Sequence, residues 1–422
     1  MTRSGMSLRD LAGWGILARI SAESTRSRAV RSTHEDPLVM DDYAHSLTDE
    51  QLMDLALRLG RRCAGATAEN PAVGCVIARQ HQERIEIVGR GWTQRGGRPH
   101  AERVALAEAG EKAREATAYV TLEPCSHTGK SGPCADALIE AGIARVVCAH
   151  PDPDARVAGR GFEKLRNAGI AVELGLFQNR AHRDLAGFLS RTVRNRPWLQ
   201  VKMAFSRDGM IGRKGEGNYP VTGPQAKSRT YALRSRADAI LIGCDTALID
   251  DPTLTVRLPG LDHTSPIRVV IDGKGRLPLT SKLVQSANKV PLWVVTGHAM
   301  PEAKSKALES MGCRIVPVAS ADEGHLDLLA AMEKLAQAGI NKLFAECGAS
   351  LADQLLRLGL VDEFFLYRSP RIIGEGGLSA LDGQPEERLR AMGFRFEESF
   401  RMGEDRLRQF VSPASLQDLY GG

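Results

Sequence analysis

The apolar positions along most of the chain follow two alternating periods. Segments with continuous or every-second apolar residues, typical of strands, alternate with segments in which apolar residues recur every three or four positions, typical of helices. The first helix is predicted at "LTDEQLMDLALRLG", where Thr48 and Gln51 have capping-box spacing and Leu52, Leu55 and Leu59 share one face. Alternating strands and helices predict an α/β protein with partly parallel sheets.

The first half of the chain contains enough of these segments for one domain. Its predicted strands are "PAVGCVIA", "RIEIVGRGW", "AYVTLEP" and "ARVVCAH", and its further predicted helices are "HAERVALAEAGEKA" and "CADALIEAGI". This order predicts a three-layer α/β domain that ends near residue 190.

A second α/β domain is predicted to begin near Pro197, because the proline breaks the preceding pattern. The run "LQVKMAFSRDGMIG" alternates and then turns at Asp208-Gly209. Further strands are predicted at "DAILIGC", "PIRVVID", "PLWVVTG", "CRIVPV", "KLFAECG" and "DEFFLYRSP". Helices are predicted at 223–236, 325–338 and 350–358.

Residues 1–43 differ from the rest of the chain. The first 34 residues carry six Arg against Asp10 and Glu23, with many Ser and weak apolar patterning. This composition favours a disordered extension, or a true start at Met40, over an Arg/Ser-rich targeting segment.

Composition excludes several classes of protein. A net charge of +5 over 422 residues suits an anionic small molecule and gives little support to nucleic-acid binding. No apolar run has the length of a membrane span. The eight cysteines are scattered, which favours reduced thiols in the cytoplasm over a disulfide scaffold. Cys75, Cys148 and Cys244 lie in apolar strand-like runs and are predicted to be buried.

One group of residues has the chemistry of a catalytic zinc site. His100, Cys125 and Cys134 offer one nitrogen and two sulfurs, and a catalytic zinc takes three protein ligands and leaves a position for water. Glu102 shares the first helical turn with His100, so it can exchange a proton with that water and with a leaving amine. His127 is an alternative fourth ligand for a structural site, although we interpret it as a loop residue.

This H-x-E followed by P-C…C is the signature of zinc nucleobase deaminases. The two cysteines are separated by "SHTGKSGP", a longer spacer than the two residues usual in deaminases of free cytidine or of tRNA adenosine. The spacer places Lys130 and several hydroxyls near the metal, which favours a phosphorylated substrate.

The spacing resembles that of the bifunctional riboflavin-biosynthesis deaminase/reductase family, over about residues 48 to 400. In the first half the matching segments are "ENPAVGCVI", "GGRPHAE", "TLEPCSHTGKSGPC" and "DPDARVAGRGFEKLRNAGI". The resemblance implies a cytidine-deaminase-like three-layer domain with His100, Cys125 and Cys134 as Zn2+ ligands, Glu102 as the catalytic proton shuttle and Asn70 as a pyrimidine contact. Glu69 and Thr93 depart from the Pro and His common in the family.

The second half resembles the reductase domain of the same family, through "LQVKMAFSRDGMIG", "VTGPQAKSRTYALRSRADAILIGCDTALIDDPTLTVR" and "AECGASL". The resemblance implies a dihydrofolate-reductase-like fold that binds NADPH. The implied substrate-binding residues are Lys202, Asn218, Arg234, Leu254, Arg257 and Glu346. The implied cofactor-binding residues are Ala204, Pro220, Thr246, Asp250 and Gly348. Cys347, Pro220 and Asn218 depart from the Gly, Trp and Ser common in the family, and no G-x-G-x-x-G suggests a Rossmann domain.

The resemblance therefore implies a bifunctional enzyme with a zinc deaminase domain at 44–192 and an NADPH-dependent reductase domain at 197–415. The expected substrate is a phosphorylated pyrimidine, and the expected assembly is a homo-oligomer formed through the reductase domain, without nucleic-acid or membrane partners. Two alternatives stay open. One is a deaminase of free nucleobase or tRNA with an accessory second domain; the other is an active deaminase whose second domain only binds nucleotide or mediates assembly.

Overall fold

The computed structural model describes residues 47–81, 84–127, 132–154, 157–217, 219–319, 326–380 and 384–415. The predictions for residues 1–43, Met40, Lys130 and Asn218 therefore lie outside the described residues. None of the described helices combines the length and the apolar character needed to cross a membrane.

The described helices and strands alternate along the chain, as the pattern predicts. The helices are α1 (Asp49–Gly60), α2 (Ala101–Ala109), α3 (Cys134–Glu140), α4 (Arg160–Asn167), α5 (Gln178–Arg194), α6 (Pro224–Arg234), α7 (Cys244–Asp250), α8 (Lys282–Gln285), α9 (Glu302–Ser310), α10 (Leu328–Gln337), α11 (Ala349–Arg357) and α12 (Pro385–Ala391). The strands are β1 (Gly74–His81), β2 (Arg84–Trp92), β3 (Thr117–Val120), β4 (Arg145–Cys148), β5 (Ala171–Leu174), β6 (Trp198–Phe205), β7 (Met210–Arg213), β8 (Ala239–Gly243), β9 (Ile267–Ile271), β10 (Leu292–Thr296), β11 (Cys313–Pro317), β12 (Lys342–Ala345), β13 (Glu363–Arg368), β14 (Gly377–Ser379), β15 (Arg395–Met402) and β16 (Asp405–Val411).

The first sheet has the order β2-β1-β3-β4-β5, with β1 antiparallel to both neighbours and β3, β4 and β5 parallel. Helices cover both of its faces. A Cβ at Gly74 would lie 1.8 Å from the Ala56 carbonyl oxygen of α1, and a Cβ at Gly91 would lie 2.0 Å from the Ala101 oxygen of α2. Gly91 pairs with Cys75, the neighbour of Gly74, so the two helices lie on opposite faces. The predicted three-layer arrangement is confirmed.

The second sheet has nine strands in the order β11-β10-β9-β8-β12-β6-β13-β16-β15. The strands from β11 to β13 are parallel, and β16 and β15 continue the sheet as antiparallel strands. Along β8, Ala239 and Leu241 enter one apolar core while Ile240 and Ile242 enter another. Burial on both faces explains why these strands are continuously apolar in the sequence.

The structure confirms the first helix cap and the main predicted helices. The Gln51 N–H donates to Thr48 Oγ1 at 3.2 Å and the Thr48 N–H donates to Gln51 Oε1 at 2.9 Å, which completes the capping box. The helices predicted at 223–236, 325–338 and 350–358 correspond to α6, α10 and α11.

One local prediction needs correction, and one pairing was not predicted. Cys244 is buried as expected, but it begins α7 and is not part of strand β8, because the strand ends at Gly243. After the predicted turn, β7 leaves the large sheet and pairs with β14 in a separate two-stranded sheet. The patterns did not predict several other elements, among them α4, α5, α9, β5, β15 and β16. Strand β15 is mostly exposed, and its apolar residues do not alternate with a buried face.

Candidate active sites

Three elements bring the predicted zinc ligands together. His100 precedes the first residue of α2, Cys134 is the first residue of α3, and Cys125 lies in the loop after β3. His100 Nδ1 is 3.4 Å from Cys134 Sγ and 3.6 Å from Cys125 Sγ, and the three ligand atoms lie within 4.8 Å of one another. A tetrahedral zinc with bonds of about 2.0–2.3 Å places its ligand atoms roughly 3.5–3.8 Å apart. The geometry fits a zinc ion.

The surroundings of the two cysteines favour a thiolate. The Cys134 N–H donates to Cys125 Sγ at 3.3 Å. Hydrogen bonding from Cys134, with a further contribution from His100, lowers the pKa of Cys125 to about 4. The hydrogen bond with Cys125 and burial raise the pKa of Cys134. One sulfur is thus anionic before a metal binds, and the second proton leaves when a cation arrives.

Glu102 lies beside these ligands on the first turn of α2. Its side chain is buried, and burial, reinforced by the negative charge of Cys125, raises its pKa to about 7. A carboxyl group with a pKa near neutrality can accept a proton and return it within one reaction cycle.

His127 does not join the ligand group. Among the residues that the structure describes, the group contains His100, Cys125 and Cys134 alone. His127 instead lines the cavity in front of these ligands, with its Nδ1 buried and without a hydrogen bond in the described part of the chain.

The cavity in front of the ligands has a volume of about 440 Å³ and is also lined by Asn70. Gly97, from the "GGRPH" segment, makes the position of Asn70 possible. A Cβ at Gly97 would lie 2.0 Å from Asn70 Nδ2, and Gly97 has φ +87°, which other residues rarely adopt. The predicted pyrimidine contact therefore faces the same cavity as the predicted metal.

Glu123 is a residue of this site that the sequence reasoning missed. It is buried at the cavity wall, and its carboxylate accepts the backbone N–H groups of Gly161 at 2.9 Å, Gly159 at 3.1 Å and Asp152 at 3.3 Å. These bonds hold the backbone at Asp152 and at Gly159–Gly161 against the segment that leads to Cys125. The sequence feature that could have indicated Glu123 is its position as the single charged residue in the apolar segment "VTLEP".

The two departures from the family pattern lie at the same cavity. Thr93 accepts the Val73 N–H and donates to the Pro71 carbonyl, both at 3.0 Å, so it fixes the backbone that follows Asn70. Glu69 lines the cavity beside Asn70. Neither residue belongs to the metal-ligand group.

The predicted reductase residues converge on a second cavity, of about 350 Å³, at the carboxyl ends of strands of the large sheet. It is lined by Lys202, Ala204, Pro220, Arg234, Thr246, Asp250, Leu254, Glu346 and Gly348. Arg257 lines a cavity of about 750 Å³ that shares Arg234, Asp250 and Leu254 with it. A third cavity, of about 610 Å³, shares Thr246 and Gly348.

Two charged side chains of this cavity, those of Arg234 and Glu346, form an ion pair. Arg234 donates from Nη2 to Glu346 Oε2 at 3.0 Å and from Nη1 to the Thr255 carbonyl at 2.9 Å. Glu346 thus occupies two of the donor positions of the Arg234 guanidinium. Arg257 is exposed and bonds only Thr253 Oγ1 among the hydrogen bonds of the described residues, so most of its donors are available to a ligand.

Lys202 lies on β6 next to this ion pair. Burial lowers its pKa, although the negative charge of Glu346 opposes the shift. Its Nζ lies 5.4 Å from the centroid of the Tyr367 ring. Burial therefore makes the neutral amine of Lys202 easier to form than it is in water.

The departures Cys347 and Pro220 leave the cavity intact. Cys347 lines it but packs into the same apolar core as Ala345, and burial raises its pKa to about 12. Pro220 presents its carbonyl to Arg371 Nη1 at 2.9 Å.

Family models match both halves of the chain. The model of the cytidine and deoxycytidylate deaminase zinc-binding region matches residues 46–150, and the model of the RibD C-terminal domain matches residues 197–407. The riboflavin biosynthesis protein RibD of Escherichia coli is 41% identical over 373 residues, which are 85% of this chain and 98% of the relative.

Solved structures show the same correspondence. Acinetobacter baumannii RibD is 33% identical, with a TM-score of 0.76 over 86% of this chain and 98% of that one. A diaminohydroxyphosphoribosylaminopyrimidine deaminase/5-amino-6-(5-phosphoribosylamino)uracil reductase from Thermotoga maritima is 28% identical, with a TM-score of 0.74 over the same shares. The predicted fold class, a cytidine-deaminase-like domain followed by a reductase domain, is confirmed.

Proposed function

The chain belongs to the RibD family of bifunctional riboflavin-biosynthesis deaminase/reductases, and we propose which of its residues carry out each of the two reactions. The protein is an enzyme of riboflavin biosynthesis. Its zinc-dependent activity hydrolyses the 2-amino group of 2,5-diamino-6-(5-phosphoribosylamino)pyrimidin-4-one, and its NADPH-dependent activity reduces the ribosyl group to ribityl. The alternative of a non-catalytic second half is not favoured.

The observation that carries the deaminase assignment is the juxtaposition of His100, Cys125 and Cys134 with a buried Glu102. In our proposal the first three side chains would hold a zinc ion, which would supply an acidified water as the nucleophile. Glu102 would accept a proton from the nucleophile and donate it to the departing amine, so that ammonia leaves. Asn70 orients the pyrimidine ring from the opposite wall of the cavity.

In the reductase cavity, Lys202 and the Arg234–Glu346 pair hold the substrate beside the cofactor. Bound NADPH supplies the hydride. The hydride adds to C1 of the sugar, whose bond to the ring oxygen breaks when the ring opens, and Lys202, which lies near the carboxylate of Glu346, polarises the reacting group or donates the proton that balances the hydride. Arg257 binds the phosphate, Leu254 packs against the substrate and Asn218 contacts it. Ala204, Pro220, Thr246, Asp250 and Gly348 bind the cofactor, with Gly348 allowing close approach of the backbone to the pyrophosphate.

Residues 44–192 and 197–415 form the two functional domains in this proposal. The two large sheets, which lie on either side of residue 197, support that division. We further propose that the protein works in the cytoplasm, because all eight cysteines are free, and that it forms a homo-oligomer through the reductase domain.

The test is a single reaction that contains the diaminopyrimidine phosphate and NADPH, with ammonia and NADPH measured separately. Equal amounts of ammonia released and NADPH consumed are expected. Ammonia without NADPH consumption would contradict the reductase assignment. Zinc-loaded protein that yields neither signal would contradict both assignments.

A further inference from the structure

The turn that presents Asn70 to the deaminase cavity is not held by the deaminase half alone. The Asn70 N–H donates to the Thr67 carbonyl at 3.1 Å, and Thr67 Oγ1 donates to the Asn70 carbonyl at 2.7 Å. Ala68 and Glu69 are therefore the central residues of a tight turn. Ala68 has φ +52°, a left-handed conformation that is unfavourable for a non-glycine residue, so contacts from outside the turn help to keep it in place.

Both central carbonyls of this turn accept hydrogen bonds from outside it. Asn341 Nδ2 donates to the Ala68 carbonyl at 2.9 Å, and Arg191 Nη2 donates to the Glu69 carbonyl at 2.8 Å. Arg191 Nε also donates to Asn341 Oδ1 at 2.6 Å. The side-chain amide of Asn341 thus bonds the turn directly through Ala68, and it also bonds Arg191, the second side chain that holds the turn.

Asn341 itself belongs to the second half of the chain and is firmly fixed there. It immediately precedes β12, its N–H donates to Asp238 Oδ2 at 3.0 Å, and its carbonyl accepts the Trp198 N–H at 2.8 Å. A Cβ at Gly187 of α5 would lie 3.0 Å from the Asn341 backbone, so the helix packs directly on it. Only 6% of Asn341 is exposed.

We propose that Asn341 is a positioning residue for deamination: its amide, carried by the reductase half, holds the Thr67–Asn70 turn so that Asn70 faces the substrate. The inference rests on the proposed function of the deaminase cavity. If Asn341 has this role, deamination depends on a side chain that belongs to the reductase half of the chain. The reductase cavity does not depend on that side chain, because Glu346 lies at the opposite end of β12, roughly 16 Å away along the strand.

Asn341→Ala and Asn341→Asp test the proposal in the full-length, zinc-loaded enzyme. The alanine variant removes both amide bonds. The aspartate variant keeps an acceptor for Arg191 but places a carboxylate oxygen against the Ala68 carbonyl. In both variants the KM for the diaminopyrimidine phosphate should rise about tenfold, while zinc content and NADPH oxidation with the deaminated substrate stay at wild-type values.

Arg183→Ala is the matched control. The Arg183 guanidinium donates to Glu397 of β15 at 2.7 and 2.9 Å, so it also joins α5 to the large sheet, through a partner that lies outside the turn. This variant should keep the wild-type KM for deamination.

Equal losses of kcat in both activities at unchanged KM would identify Asn341 as a merely structural residue and overturn the proposal. A wild-type KM in the aspartate variant would also overturn it, even if the alanine variant failed to fold. Ammonia release by the wild-type enzyme is measured in the same series. A failure of the proposed function would appear in the wild type, whereas a failure of this inference would appear only in the variants.

Discussion

At the scale of single residues, burial shifts the pKa values of the two proposed proton-transfer groups in opposite directions. It raises the pKa of Glu102 to about 7 and lowers the pKa of Lys202, because burial penalises the charged form of either group. In both cavities burial thus favours the uncharged form of the group that is proposed to transfer a proton. Each group also has a charged neighbour, Cys125 in one cavity and Glu346 in the other.

Lys202→Met tests the role assigned to the lysine. Methionine retains most of the apolar volume but has no ammonium group, so NADPH oxidation with the deaminated substrate should fall roughly 100-fold. Ammonia release should not change, because the zinc ligands lie in the other half of the chain. Lys214→Met, at an exposed lysine, is the control. An equal loss of both activities would contradict the separation of the two sites.

The residues that the sequence could identify are those whose chemical type is itself informative. His100, Cys125 and Cys134 are metal ligands at a recognisable spacing, and Glu102 follows from them. Glu123 and Asn341 could not be found in this way. They act on backbone groups 29 or more residues away in the sequence, such as those of Asp152 and Ala68, and the identity of a polar residue does not indicate such a partner.

At the scale of elements, the short loop before α2 contains two glycines with different structural roles. Gly96 and Gly97 have φ +78° and +87°, so a side chain would strain the backbone at either position. Only Gly97 also contacts Asn70; a Cβ at Gly96 would meet no atom within 4 Å.

Gly97→Ala and Gly96→Ala form a matched pair that separates these effects. Each substitution should lower the free energy of unfolding by about 1 kcal/mol through the backbone. Gly97→Ala should in addition displace Asn70 and raise the KM for deamination at least tenfold. Urea unfolding and ammonia release measure the two effects. Identical KM values in the two variants would show that the contact with Asn70 has no role.

A buried histidine pair attaches α5 to the loop after β4. His150 Nε2 and His182 Nδ1 lie 3.0 Å apart. Burial lowers the pKa of both, that of His182 to about 4, and the positive charges of His150, Arg194 and Arg183 add to the shift of His182. Because the folded-state pKa lies below the ordinary value of 6.5, the pair stabilises the fold fully above pH 6.5. That stabilisation is lost as the pH falls toward 4.

His182→Gln should therefore make stability less sensitive to acid. Between pH 7 and pH 5 the wild-type protein should lose about 2 kcal/mol more of its unfolding free energy than the variant, whose residue 182 cannot take up a proton. Denaturant unfolding at the two pH values measures the difference, and protonation of the zinc ligands affects both proteins alike. Equal losses would exclude His182 as a source of acid sensitivity.

The elements that could be predicted are those whose buried apolar residues recur at the regular spacing of a strand or a helix. The strands of the large sheet are apolar because both of its faces are covered. The capping residues and the apolar face of α1 can be recognised in its sequence. The partnership of β7 with β14 could not be foreseen, since it joins segments more than 160 residues apart. The exposed strand β15 lacks the alternation that identifies a half-buried strand.

At the scale of the whole molecule, the chain holds two chemically distinct cavities joined by a helix and by side chains that cross between its halves. Helix α5 carries Arg191 to the deaminase cavity and Arg183 to the large sheet. The order of the domains and both chemistries could be predicted from motifs. The contacts between the halves could not, because Asn341 and Arg95 bond the carbonyls of Ala68 and His263, and any residue supplies a carbonyl.

The most direct test of the central claim, that one chain carries two separate active sites, is Glu102→Gln in the zinc-loaded enzyme. Ammonia release should fall at least 100-fold, because the amide cannot carry the proton. Bound zinc should stay at the wild-type level, and NADPH oxidation with the deaminated substrate should not change. Ammonia release within a few fold of the wild type, or a parallel loss of NADPH oxidation, would contradict the account.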